Sequence, residues 1–221
     1  MYVMWAKNNL ITGNIIGYTL EGQESGCIFE AIVLDLCIGN TVTDNKVSVT
    51  GRSAIVCTGI SGASYNVIKN NEAIDHQLES QLGSAFWGYY NVVEGNKFIG
   101  HVSLTGSNNV LAGNDIRYAG QQGSLVTDQA EHGGNFIGGM GPGAGNIIGA
   151  DNIPEFAFGT QSVAGPYVRG NTIYCSQLVF FMSSLSKVAF TNNTVYTTPS
   201  VWEAFQNDIK SFGAASGNVR R

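Results

Sequence analysis

Two stretches hold most of the side chains able to do acid–base work. The first places Asp75, His76 and Glu79 close together, followed by Trp87, Tyr89 and Tyr90. Two carboxylates, one giving a proton and the other acting as base or nucleophile, are the equipment of glycoside hydrolysis. Trp and Tyr add flat apolar faces with polar tips, suited to stacking on sugar rings. The second stretch places Asp128, Glu131 and His132 downstream of Arg117 and Tyr118. A guanidinium beside carboxylates suits a lyase that neutralises a uronate and removes its α-proton. The candidate catalytic residues are therefore Asp75, Glu79, Asp128 and Glu131. The candidate substrate contacts are His76, Trp87, Tyr89, Tyr90, Arg117 and Tyr118. The plainer reading is a pair of solvated loops with local ion pairs and aromatics packed on an outer surface.

Other chemistry finds less support. Glu21, Glu24, Glu30 and Asp35 are acidic enough for a cation but lack the spacing of an EF-hand loop. His76, His101 and His132 are widely separated, so no histidine metal site is expected, and His101 reads as a surface or corner residue. No Gly-x-Ser-x-Gly elbow occurs. The glycine-rich run from Gly138 to Gly145 lacks the Lys-Ser/Thr of a phosphate loop and reads as a corner or bulge. Cys27, Cys37, Cys57 and Cys175 show no CxxC spacing, and buried free thiols are expected. Neither a cofactor nor a metal is expected.

The 221 residues carry a net charge of −5, and only 12% are charged, about half the usual share. That balance argues against a nucleic-acid partner, which needs a basic stripe. No apolar run approaches the length of a membrane span, so no membrane insertion is expected. The first residues show no signal-peptide pattern.

What must position these residues is a repeat. Short Val/Ile-rich pieces end in Gly-Asn, Asn-Asn or, once, Thr-Asn, with the closing asparagine at 14, 40, 71, 96, 114, 171 and 192, and weaker echoes at 135, 146 and 218. Rungs of roughly 20–30 residues mark a solenoid. Apolar pieces of two to five residues favour strands over helices, and Gly and Asn tolerate the left-handed backbone of a tight corner. Asparagines stacked at one corner of successive rungs would form an amide ladder. On that basis Asn96→Leu is expected to cost roughly 1–3 kcal/mol. The chemistry-bearing stretches fall between rungs, as insertions that map to loops.

The end of the chain differs. Ser200 to Glu203 reads as a capping box after Pro199, and Trp202, Phe205, Ile209 and Phe212 fall on one helical face. This divides the chain into rungs over 1–198 and a helix with a partial last rung or cap over 199–221. Open solenoid ends expose strand edges, which points to a longer chain or to a protomer capped by partners.

The Gly/Asn corners resemble those of right-handed, single-stranded parallel β-helices of the phage-tailspike and pectate-lyase type, over roughly residues 8–198. The resemblance implies an all-β solenoid with one short C-terminal amphipathic helix. It further implies a homotrimer on a virion tail or outside the cell that binds, and in some members cleaves, bacterial surface polysaccharide. Two alternatives remain open: a secreted pectate-lyase-like lyase or epimerase, and a non-enzymatic adhesin or shaft. The fold hosts all three.

Overall fold

A computed structural model describes residues 1–59, 63–76, 83–117, 124–128, 134–149, 156–160, 165–178 and 187–221. Within them the chain winds through three parallel sheets in turn. The first sheet holds Tyr2–Met4, Ile32–Asp35, Ile55–Thr58, Ser84–Phe86, Val102–Leu104, Ser124–Asp128 and Phe156–Thr160. The second runs from Leu10–Thr12 through Thr41–Thr43 and so on to Ala214–Ser216. The third runs from Ile15–Ile16 through Lys46–Val49 to Val219–Arg220. Each strand pairs in parallel with its counterparts in the neighbouring rungs, and each of the first seven rungs takes one strand from each sheet. Ile32–Asp35, Thr41–Thr43 and Lys46–Val49 form one such rung. This is the parallel β-helix that the repeat predicts.

Three-residue strands explain the core. Side chains alternate across a strand, so the middle residue points inward. The second sheet stacks Ile11, Val42, Ile68, Val93, Leu111, Ile137, Val168 and Phe190 in this way. The third stacks Val47, Ala73, Phe98, Ile116, Ile148, Ile173 and Val195. All are buried in one continuous cluster. Each large aliphatic contributes about 1.5–3 kcal/mol on burial. Cys37, Cys57 and Cys175 are buried free thiols, and Cys27 is half-buried.

The corners explain the asparagines. At most corners a residue in the left-handed conformation makes the turn, and the next residue is an asparagine, buried or half-buried beyond the first rung. Gly95 (φ 64°) precedes Asn96, but Asn70 (54°), Tyr65 (58°) and Tyr90 (57°) fill the same role before Asn71, Asn66 and Asn91. The asparagines form two ladders. Six members, Asn9, Asn40, Asn66, Asn91, Asn109 and Asn135, stand before the second sheet. Nine, from Asn14 through Asn45, Asn71, Asn96, Asn114, Asn146, Asn171 and Asn193 to Asn218, stand between the second and third. In each, a carboxamide oxygen accepts from both the backbone N–H and Nδ2 of the asparagine one rung earlier. Asn71 N and Nδ2, for example, each lie 2.9 Å from Asn96 Oδ1. The structure thus corrects the repeat frame at three places. Asn40 and Asn135 belong to the ladder of Asn9, not that of Asn14, and Asn192 is the left-handed residue (φ 53°) ahead of Asn193. Two asparagines five residues apart, Asn40 after Gly39 and Asn45 after Asp44, both follow a left-handed residue and end a short apolar piece.

Helix α1 (Pro199–Asp208) lies between the third-sheet strand Thr194–Tyr196 and the second-sheet strand Ala214–Ser216. Its cap is Thr198, whose Oγ1 accepts from Val201 N at 3.4 Å, with Pro199 at the first helical position, so the Ser200 capping box does not form. Phe205 packs edge-on against Phe190 at 5.1 Å, and Trp202, Ile209 and Phe212 close around it. The expected apolar face therefore covers this protein's own core. The following strands, Ala214–Ser216 and Val219–Arg220, pair onto the rung before them, so 199–221 completes a rung. Among the described residues, no helix is long and apolar enough to cross a membrane.

Candidate functional site

Parallel register places every third-of-a-rung position in a column, and one column of the first sheet builds a groove. Its outward residues are Tyr2, Val33, Val56, Ala85 and Ser103. Small side chains at rungs two to five leave a floor. Thr58, Trp87 and Thr105 rise along the margin where the chain leaves the sheet. Glu30, Arg52 and Ser53 form the margin where it enters. The resulting groove has a volume of about 590 Å³. It spans five rungs, about 19 Å at the spacing of neighbouring strands.

Polar side chains line this groove in fixed positions. Arg52 Nη1 lies 3.3 Å from Glu30 Oε1, and its guanidinium sits over the Phe29 ring. Tyr2 OH donates to Asp35 Oδ2 at 2.5 Å, and that hydrogen bond to a carboxylate raises the phenol's pKa above the ordinary value. Ser103 and Thr105 hydroxyls are 3.3 Å apart. Trp87 is held through its backbone N–H on the Cys57 carbonyl and keeps 42% of its surface exposed; Tyr2 keeps 60%. The groove thus offers two exposed aromatics, several hydroxyls and an internally neutralised ion pair. Glu30 and Asp35 stand at opposite margins of one strand, each already engaged.

The residues singled out from sequence are distributed differently. Trp87 lines the groove. Asp75, 5% exposed, ends the third-sheet strand Glu72–Asp75. His76 follows it at the surface, its Nε2 2.6 Å from Glu24 Oε2, in a small cleft of about 290 Å³ with Ser48 and Thr50. These two leave the third sheet, whereas Trp87 leaves the first, so neighbours in sequence stand at different corners of the rung. Tyr89 is half-buried, and Tyr90 stacks on Tyr65 at the corner between the first and second sheets (5.2 Å, 8°). Arg117 forks onto Asp115, with Nε at 2.9 Å and Nη2 at 2.8 Å from Oδ2, and does not reach the groove. Glu79, Tyr118, Glu131 and His132 lie outside the described residues.

Asp128 has a different setting from a catalytic loop. It occupies the inward column after Leu34, Cys57, Phe86 and Leu104 and is wholly buried. Its Oδ1 accepts from Nδ2 of Asn135, the last asparagine of the six-member ladder. The ladder position one rung on is Pro166, which has no carboxamide to offer. Asp128 supplies the oxygen that the next asparagine would have given.

One smaller expectation is corrected as well. His101 is 5% exposed, and its Nε2 lies 3.0 Å from Thr127 Oγ1, so it is interior. The acidic stretch is dispersed: Glu24 faces His76, Glu30 faces Arg52 and Asp35 faces Tyr2. Among the described residues no three His, Cys, Asp or Glu side chains converge to hold a metal.

Sequence reasoning missed Tyr2, Glu30, Arg52, Thr58, Ser103 and Thr105. Their association depends on register between strands some 20–30 residues apart. Patterning within one strand does not supply that register. No family model, curated protein or solved structure gives a match to this chain.

Proposed function

We propose that the groove on the first sheet binds an extended polysaccharide. The observation that carries this reading is the combination of a long, preformed trough with exposed Trp87 and Tyr2 and a floor of small side chains. A sugar ring presents an apolar C–H face to an indole and hydroxyls to Thr58, Ser103 and Thr105. The charge of the groove is balanced by its own ion pair, which favours a neutral or weakly charged chain. Glu30 and Asp35 are committed to Arg52 and Tyr2, which supports binding rather than cleavage as the groove's activity.

The resemblance of the corners to phage tailspikes directs the choice of probes to bacterial capsular and O-antigen polysaccharides. Titration calorimetry against such a panel is expected to find at least one ligand. Trp87→Ala should weaken it about tenfold or more, the equivalent of 1.4 kcal/mol, with an unchanged melting temperature. The same mixtures are assayed for new reducing ends and for unsaturated uronate absorbance. Either product would replace pure binding by hydrolysis or elimination. Absence of binding across the panel, or affinity indifferent to Trp87, would refute the groove.

A further inference from the structure

A second cavity lies on another face, and its construction is independent of the groove. The outward column of the second sheet runs Val110, Phe136, Tyr167, Ala189, Ala214. Phe136 and Tyr167 stack ring on ring at 4.7 Å and 12°. The stack then stops. Ala189 follows in register, so the Tyr167 face turned toward the next rung meets only a methyl group in its own column. A slot of about 260 Å³ opens there, with Arg169 and Thr191 in the parallel outward column and Met140 beside it.

The wall bearing Met140 comes from the glycine-rich run 138–145, which the sequence left without a role. It is locked rather than loose. Gly170 (φ 70°) sits so close to the Gly139 carbonyl oxygen that a Cβ there has no room. Met140 Sδ accepts from Asn192 Nδ2 at 3.8 Å. A wall already in place lowers the ordering cost of binding. The slot's chemistry is equally defined: a ring face and edge, a thioether, a hydroxyl and one cation. Among the described residues no carboxylate pairs with Arg169.

We propose that this slot binds a single carboxylate-bearing sugar ring, its C–H face continuing the Phe136–Tyr167 stack and its carboxylate on Arg169. Thr191 provides a hydroxyl partner for the sugar, which an aromatic acid would not use. The size suits one ring and not a chain, in contrast to the groove.

The test is ligand-observed saturation-transfer NMR on the intact chain, with D-glucuronate, D-glucose and benzoate as separate probes. Glucuronate should bind at least about tenfold more tightly than glucose, because a charge-assisted hydrogen bond distinguishes them. Arg169→Gln, at an exposed side chain, should bring glucuronate down to the glucose level. Ala189→Phe should fill the slot and abolish the signal at an unchanged or raised melting temperature. Trp87→Ala should leave it intact. Benzoate binding without glucuronate would overturn the proposal, as would equal binding of glucose and glucuronate. A glucuronate signal that survives Ala189→Phe but falls in Trp87→Ala would return the ligand to the groove.

Discussion

At the scale of single residues, the chain uses polar groups inside its core as structural parts. Asp128 is the clearest case, because a buried carboxylate in an apolar column invites a catalytic reading that its partner contradicts. Asp128→Leu should strand the Asn135 amide and lower stability by roughly 1–3 kcal/mol, while Asp128→Asn, which keeps an accepting oxygen, should cost less. Denaturant unfolding of both variants checks the order; equal costs would remove the ladder-terminating role. The thiols make a second case. Burial pushes the Cys57 thiol up and that of Cys175 from 9.0 to about 11. Below the unfolded-state value both states are neutral and these groups add no pH dependence. As pH rises past about 9 the unfolded thiol ionises first, so stability falls, for Cys175 by roughly 2–3 kcal/mol once pH reaches about 11. Thermal melts between pH 8 and 11 should show a slope that Cys175→Ala flattens.

At the scale of elements, legibility follows locality. Strand, corner and helix were readable because each depends on neighbouring residues: β-branched triplets, a left-handed Gly or Asn, an apolar helical face. The ladder at Asn71, Asn96 and Asn114 was readable for the same reason. What failed needed a choice between near-identical local signals, as with Asn40 against Asn45. The groove failed for a stronger reason. Ala85 and Val56 share its floor only through interstrand register, and Asp75 and Trp87 are close in sequence yet belong to different sheets. The helix cap shows the same limit at short range. Thr198 and Ser200 both sit beside Pro199, and only the extended backbone of Thr198 makes it the cap. Thr198→Ala should cost about 1 kcal/mol and Ser200→Ala close to nothing, measured by chemical denaturation. The reverse order would restore the capping box.

At the scale of the whole molecule, stability is a sum of rungs and of the interfaces between them. The central ladder members carry the most interfaces. Asn96 Oδ1 accepts twice from Asn71, and its Nδ2 donates to Asn114 Oδ1 at 3.0 Å and to the Ile68 carbonyl at 2.9 Å. Asn96→Leu breaks contacts to the rungs on both sides, so its cost belongs near 3 kcal/mol, the upper end of the range expected from sequence. Because coupling runs only between adjacent rungs, the damage should stay local. Native-state hydrogen exchange is expected to accelerate first in Val67–Lys69, Glu72–Asp75, Val110–Ala112 and Asp115–Arg117. Protection at Ala189–Thr191 and Thr194–Tyr196, four rungs away and covered by α1, should persist. Uniform acceleration along the chain would mean that the solenoid unfolds as one cooperative block, and that the ladders bind it into a unit larger than the rung.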